Sequence, residues 1–246
     1  MGTYSPRLHH VVAHRGASAD APENTLSALK LAIDQGAKCV EIDAMISRDG
    51  VPFLHHDDKL ERCTDGSGYL CAADAATLDS LNASAGNSKF SKEALPRLAS
   101  AAELLVHHRI GLNLEIKPTP GLETDTAAAV VECLRPLWPT ELPLVLSSFS
   151  KDALTEAKTL WPDAPRALIT CEVPGNWQEA LGELDCRNFH MAAPLLNTNT
   201  AKLIKAAGYG LYCYTVNDVT EAKSLFDMGV DGVFTDKPKL LLNHIG

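Results

Sequence analysis

The sequence predicts an α/β protein of the (β/α)8, or TIM, barrel class with a small insertion after the second strand, and three observations carry that expectation. Short β-type runs alternate with helical segments, giving eight such runs in 246 residues, a length common for one barrel. Polar residues of chemical interest recur at the carboxyl ends of these runs, the end at which such barrels keep their active sites. One connection, from Asp43 to Gly111, is much longer than a single crossover helix needs.

The first run, Val11-Val12-Ala13, breaks off at His14-Arg15-Gly16, which sets an imidazole and a guanidinium just beyond a strand end. Asn24 is placed as the cap of a helix in which Leu26, Leu29 and Ile33 recur at helical spacing until Gly36 stops it. The second run, Lys38 to Asp43, holds Glu41 and Asp43 two residues apart, hence on one face of a strand. An insert at about 44–95 then overhangs the barrel mouth, where it is expected to touch the variable part of a substrate. Val51 to His56 reads as a hairpin arm after the Asp49-Gly50 turn, and Asp65-Gly66-Ser67-Gly68 marks a further turn. A helix resumes within Pro96 to His108. The remaining strands are expected at Gly111 to Ile116, Leu142 to Leu146, Arg166 to Thr170, Asn188 to Ala192, Gly210 to Val216 and Gly232 to Thr235. Helices are expected at Thr124 to Leu134, Lys151 to Leu160, Thr198 to Ala207 and Val219 to Met228. The whole chain, 1–246, reads as a single catalytic barrel domain.

Composition sets the outer bounds. A 46% hydrophobic content suits a globular enzyme, and no apolar run approaches the roughly 20 residues of a membrane helix. The net charge of −9 disfavours nucleic acid, whose phosphates demand a basic face. Met1 to His10 carries no secretory signal, and Pro6 stands where a myristoylation motif wants Ser or Thr. Seven cysteines without CxxC spacing read as reduced thiols acting as small hydrophobes, and with the missing signal they lead to an expected cytoplasmic location.

Glu41, Asp43 and Glu115 would direct three carboxylates at one site if their strands are neighbours. Their repulsion would be relieved by protonation, by pairing with Arg15 and Lys117, or by a divalent cation. An all-oxygen ligand set favours Mg²⁺ or Ca²⁺ over zinc. His14 and His56 read either as hydrogen-bonded structural residues or as proton-transfer groups. Glu23 and Asn24 read equally as capping residues or as groups holding metal or substrate. Asn217 and Asp236 are explained by the polarity of turns.

Several pieces in order resemble the signature of the glycerophosphodiester phosphodiesterase family, of the cytosolic bacterial type. They are His14-Arg15-Gly16, Pro22-Glu23-Asn24-Thr25, Glu41-x-Asp43 and His56-Asp57-x-x-Leu60-x-Arg62-x-Thr64, then Glu115-Ile116-Lys117-Pro118, Ser147-Ser148-Phe149, Thr215-Val216-Asn217 and Gly229 to Asp236. The resemblance spans Val12 to Pro238. It implies metal-dependent hydrolysis of glycerophosphodiesters to sn-glycerol 3-phosphate and an alcohol. It also implies His14 and His56, in preference to His55, as acid and base, one divalent cation, Mg²⁺ or Ca²⁺, on Glu41, Asp43 and Glu115, and a substrate held by Arg15 and Lys117. Phe149 and Tyr214 are expected to form an apolar wall for glycerol carbons, with the departure that Tyr214 stands where the family often has tryptophan. The alternatives are a sphingomyelinase or lysophospholipase D type of phosphodiesterase, which would need an apolar entry for acyl chains, and a noncatalytic barrel that binds a phosphorylated ligand.

Overall fold

The computed structural model describes residues 7–84, 86–87, 89–90 and 92–245, so residues 1–6 of the amino-terminal stretch discussed above lie outside the described residues. The elements run β1 (Val11–His14), α1 (Leu26–Asp34), β2 (Cys39–Ile46), β3 (Pro52–Leu54), α2 (Ala75–Asp79), α3 (Leu98–His107), β4 (Gly111–Ile116), α4 (Glu123–Leu134), β5 (Leu144–Ser148), α5 (Lys151–Leu160), β6 (Arg166–Thr170), α6 (Trp177–Glu183), β7 (Cys186–Ala192), α7 (Thr198–Ala206), β8 (Gly210–Tyr214), α8 (Val219–Asp227), β9 (Gly232–Thr235) and α9 (Pro238–Ile245). Every strand pairing except β2 with β3 is parallel, and β1 pairs with both β2 and β9, which closes the ring as a (β/α)8 barrel. β3 lies antiparallel against the outer half of β2, with Ala44 opposite Leu54.

Closure forces alternate residues of each strand into the barrel interior, whose lower part is filled by Val12, Cys39, Val145, Ala167, Tyr212 and Phe234. Space there is tight enough that a Cβ on Gly232 would come within 2.7 Å of the Tyr212 ring. The outward strand residues pack under the helices, with Ile42 and Leu114 in one cluster with Leu29 and Leu105, and Phe189 and Leu211 in another with Leu225. Burial pushes the thiol of Cys39 up to about 11 and those of Cys186 and Cys213 up to about 12, so these cysteines act as small hydrophobes.

Three expected strands shift at their ends, and the cap of α1 moves by one residue. β5 starts at Leu144, after the donor-less Pro143, and runs through two buried serines; the Ser148 hydroxyl donates to the Ile116 carbonyl at 2.7 Å. β7 begins earlier, at Cys186, and β8 ends earlier, at Tyr214. Thr25, not Asn24, caps α1 by accepting from the Ala28 N–H at 3.1 Å. Helices α2, α6 and α9 were not expected. α6 carries few apolar residues and offers little periodicity to read, with Ala180 and Leu181 its buried positions.

The segment after β2 has a small core of its own, in which Met45, Phe53, Leu60, Leu70, Leu78 and Leu95 meet. Each such buried side chain is worth about 2 kcal/mol, enough to keep the segment folded over the barrel edge. Ala44 still pairs with Ile116 inside the barrel, so the departure follows Ile46 and not Asp43.

Gly16 fixes how the chain leaves β1. Its φ is +81°, and a Cβ there would lie 2.6 Å from the backbone carbon of Ala28. Gly16→Ala is therefore expected to lower stability by about 2 kcal/mol or more and Tm by several degrees, measured by thermal unfolding. A Tm equal to that of the parent protein would show that the turn tolerates a side chain.

Candidate active site

The parallel register of β2 and β4 sets Asp43 directly opposite Glu115, and the period of two puts Glu41 on the same inward face as Asp43. Glu41, Asp43 and Glu115 each offer an oxygen within 4.8 Å of the other two. Glu41 and Asp43 are 4% and 1% exposed, so water screens this repulsion poorly. Burial, then the charges of Asp43 and Glu115, push the Glu41 carboxyl well above the usual range; burial and Asp43 push Glu115 up to about 7.

Partial compensation comes from neighbouring loops. Arg15 Nε lies 3.1 Å from Asp43 Oδ2, and Lys117 Nζ lies 3.1 Å from Glu115 Oε1 and 3.8 Å from Asp43 Oδ1. The Arg15 backbone, at φ +55°, aims its N–H at Glu41 Oε2 at 3.0 Å. Asn24, also at positive φ, donates its amide to Asp43 Oδ2 at 2.8 Å and accepts from the Asp43 N–H at 3.2 Å. Both loop conformations are uncommon for residues with a side chain, and both serve the carboxylates. Two cations face three acids, a deficit that suits a hard divalent cation with oxygen ligands.

The two histidines are oriented differently. His14 Nδ1 lies 2.7 Å from Asp236 Oδ1, which turns Nε2 toward the cavity, 3.9 Å from Glu41 Oε2. Asp236 is held by Asn217 Nδ2 at 2.7 Å and Ser18 Oγ at 3.0 Å. Burial opposes its ionisation, yet these hydrogen bonds hold it down to about 2. Asn217 and Asp236, set aside in the sequence as turn residues, are thus positioning groups for His14.

His56 Nδ1 lies 2.7 Å from Asp57 Oδ1. Arg62 grips Asp57 through Nε at 2.6 Å and Nη2 at 2.9 Å, and so keeps its carboxyl far below the usual range. Arg62 also reaches Glu23, which in turn accepts from Arg15 Nη1 at 2.8 Å. Glu23 therefore neither caps α1 nor joins the three acids; it couples Arg15 to Arg62. His55 is buried, with Nε2 3.0 Å from the Lys59 carbonyl, whereas the His56 ring lines the cavity. Burial lowers the pKa of His56 below the usual value and favours a neutral ring.

His14, His56, Arg15, Lys117 and Glu115 surround a cavity of about 120 Å³, closed on one side by Phe149 and Tyr214, whose rings meet edge to face at 6.1 Å. A more open groove of about 650 Å³ continues from it past His56 and Phe149 to Asp58 and Glu123.

The model of the glycerophosphoryl diester phosphodiesterase family matches residues 14–240. A glycerophosphodiester phosphodiesterase from Caldanaerobacter subterraneus subsp. tengcongensis is 29% identical over 241 residues, covering 96% of this chain and 97% of its own length. One from Bacillus subtilis is 29% identical over 254 residues, with 96% and 86% covered. Among solved structures, an Oleispira antarctica phosphodiesterase in complex with the product sn-glycerol-3-phosphate is similar at TM-score 0.94 and 44% identity, covering 97% of each chain. A glycerophosphodiester phosphodiesterase from Thermotoga maritima, at TM-score 0.74 and 23% identity, shares the fold.

A cation that binds only the folded site stabilises it by mass action. At a hundredfold excess over Kd, Mg²⁺ or Ca²⁺ is expected to contribute about 2.7 kcal/mol and raise Tm by about 5–10 °C over the chelated protein. Glu41→Gln removes both a candidate ligand and a repulsive charge, so it should raise the Tm of the chelated protein and abolish the cation's increment. Equal Tm values with and without cation would contradict the ligand assignment.

Proposed function

The chain belongs to the glycerophosphoryl diester phosphodiesterase family and is a glycerophosphodiester phosphodiesterase; on that premise we propose that it forms sn-glycerol 3-phosphate and an alcohol, using His14 and His56 as proton-transfer groups beside one carboxylate-bound divalent cation. What supports this reading most is the convergence on one cavity of two carboxylate-oriented imidazoles, three acids and the cations Arg15 and Lys117. The product complex of the Oleispira antarctica enzyme, 44% identical, supports the same product here.

Arg15 and Lys117 take the charge of the phosphate, the first as a fork of donors and the second as a point charge. Glu41, Asp43 and Glu115 would hold the cation, Mg²⁺ or Ca²⁺, which when bound would supply Lewis-acid polarisation of a phosphoryl oxygen. The two histidines divide the proton work according to their partners. Asp57 is neutralised by the bidentate Arg62, and burial keeps His56 neutral, so His56 starts the cycle as the base toward the attacking hydroxyl. Among the described residues the Asp236 carboxylate has, besides His14, only the uncharged partners Asn217 and Ser18, so its charge is free to balance a proton on the His14 ring, and His14 serves as the acid toward the leaving oxygen. Phe149 and Tyr214 wall the glycerol carbons.

The sphingomyelinase and lysophospholipase D reading needs an apolar path for acyl chains. The groove leading from the cavity sets Asp57, Asp58, Glu123 and Lys117 among Pro118, Pro120 and Phe149, and those charges favour small polar alcohols over acyl chains. Lys117, Glu115 and both histidines in hydrogen-bonded poise likewise favour turnover over a noncatalytic binding role. The charge and cysteine usage support a cytoplasmic setting, and among the described residues no helix is long and apolar enough to cross a membrane.

Glycerophosphocholine turnover with product identification tests the activity. EDTA is expected to abolish it and Mg²⁺ or Ca²⁺ to restore it; persistence after thorough chelation would sink the cation assignment. His14→Ala and His56→Ala should each lower kcat by about 10²-fold or more, and His55→Ala by far less. Asp236→Asn should also cost about 10²-fold or more, because it leaves the His14 ring without its countercharge. Since a base works only when unprotonated, kcat/KM should fall as pH drops through the His56 pKa, with that acid midpoint below 6.5. A midpoint well above 6.5 would reverse the assignment of base and acid.

A further inference from the structure

The cavity has a floor that the proton-transfer groups and acids do not use. It is made by Asn113 on β4, Ile169 on β6, His190 on β7 and Phe234 on β9, which line the same cavity as Glu41 and Glu115. Two polar atoms of this floor have no partner among the described residues: His190 Nε2 and Asn113 Oδ1. Both residues are 1% exposed, so water cannot freely satisfy them, and an orphan of this kind is costly unless a ligand meets it.

The surroundings fix both groups in place. Asn113 Nδ2 is committed to Ser147 Oγ at 2.9 Å, which leaves Oδ1 as a directed acceptor. The His190 ring is held between Phe234 and Tyr212, at centroid distances of 5.0 and 5.5 Å, and the Tyr212 hydroxyl is spent at the far end of the barrel on Leu8. Burial pushes His190 down to about 3, so its ring is neutral at working pH and suits an uncharged ligand. A histidine kept only for packing would place its nitrogens on carbonyls, as His55 does with Lys59.

We propose that His190 and Asn113 are specificity residues that read the hydroxyls of the glycerol moiety at the closed end of the cavity. A hydroxyl both donates and accepts, so a single polyol group satisfies an acceptor and an imidazole nitrogen together. Ile169 and Phe234 join Phe149 and Tyr214 around the carbon skeleton. The phosphate lies above, at Arg15 and Lys117, and the alcohol leaves along the open groove past His56. This assignment rests on the glycerophosphodiester activity and adds to it the residues that distinguish glycerol from other alcohols.

The test compares kcat/KM for glycerophosphocholine with that for the two propanediol phosphocholines, each lacking one glycerol hydroxyl. The wild type is expected to prefer the glycerol ester by about 10²-fold over at least one of them, because the missing hydroxyl leaves buried polar atoms unpaired. In His190→Phe that preference should collapse toward unity, while His190→Gln, which keeps a polar group at this depth, should retain most of it. A wild type without preference, or a folded His190→Phe with the preference intact, overturns the assignment. If His190→Phe does not fold, the wild-type ratio and that of His190→Gln decide. Failure of the wild type to turn over glycerophosphocholine at all would instead overturn the activity, and this assignment with it.

Discussion

Three buried carboxylates within 4.8 Å of one another are the constraint on which the rest of the site depends. In a poorly screened interior their repulsion is severe, and the neighbouring chain is shaped to lessen it. Arg15 and Asn24 adopt positive φ to deliver a backbone N–H to Glu41 and an amide to Asp43, and Lys117 bridges Asp43 and Glu115. The close packing of Gly16 on Ala28 keeps the loop after β1 low enough for this. Even so, burial and mutual charge leave Glu41 and Glu115 holding protons more tightly than ordinary carboxyls, a cluster still short of positive charge.

The same compensation ties the segment after β2 to the barrel. Arg15 meets Glu23, Glu23 meets Arg62, Arg62 grips Asp57, and Asp57 orients His56. Isolated exposed ion pairs contribute little, and Arg62 is about half exposed, so the ladder matters chiefly for geometry. The bidentate clasp of Arg62 on Asp57 fixes the direction of the His56 ring, and Glu23 links that direction to the acid cluster. Apolar packing around Phe53, Leu60 and Leu70 supplies the stability that the ladder lacks.

The ring of strands was legible in the sequence because each run is apolar, short and followed by a turn; β4, β6 and β9 begin and end where the pattern puts them. Convergence of Glu41, Asp43 and Glu115 was legible too, since a period of two and adjacent strands leave little freedom. Roles that depend on distant partners were not. Asp236 meets His14 across 222 positions, and one sequence gives no hint that an ordinary turn aspartate closes onto β1. Asn24 looked like a cap because capping and buried amide chemistry use the same residue type. Glu23 was ambiguous because its partner Arg62 comes from the inserted segment, whose packing no periodicity announces.

The net charge of −9 poses a problem for an enzyme whose substrate is an anion, and the arrangement of charge around the cavity resolves it. Long-range attraction is absent, so the favourable field must be local and short of a Debye length. It arises at the centre, where Arg15 and Lys117 face the cavity beside Glu41 and Glu115, two of the three candidate cation ligands. Asp58 and Glu123 line the outer groove, where the phosphate need not rest. Charge along the path therefore runs from an acidic rim, through a middle where Arg15, Lys117 and a bound divalent cation would together outweigh the three acids, to an uncharged floor at Asn113 and His190. A phosphodiester whose alcohol is cationic or uncharged fits that sequence end to end, with its phosphate in the middle layer.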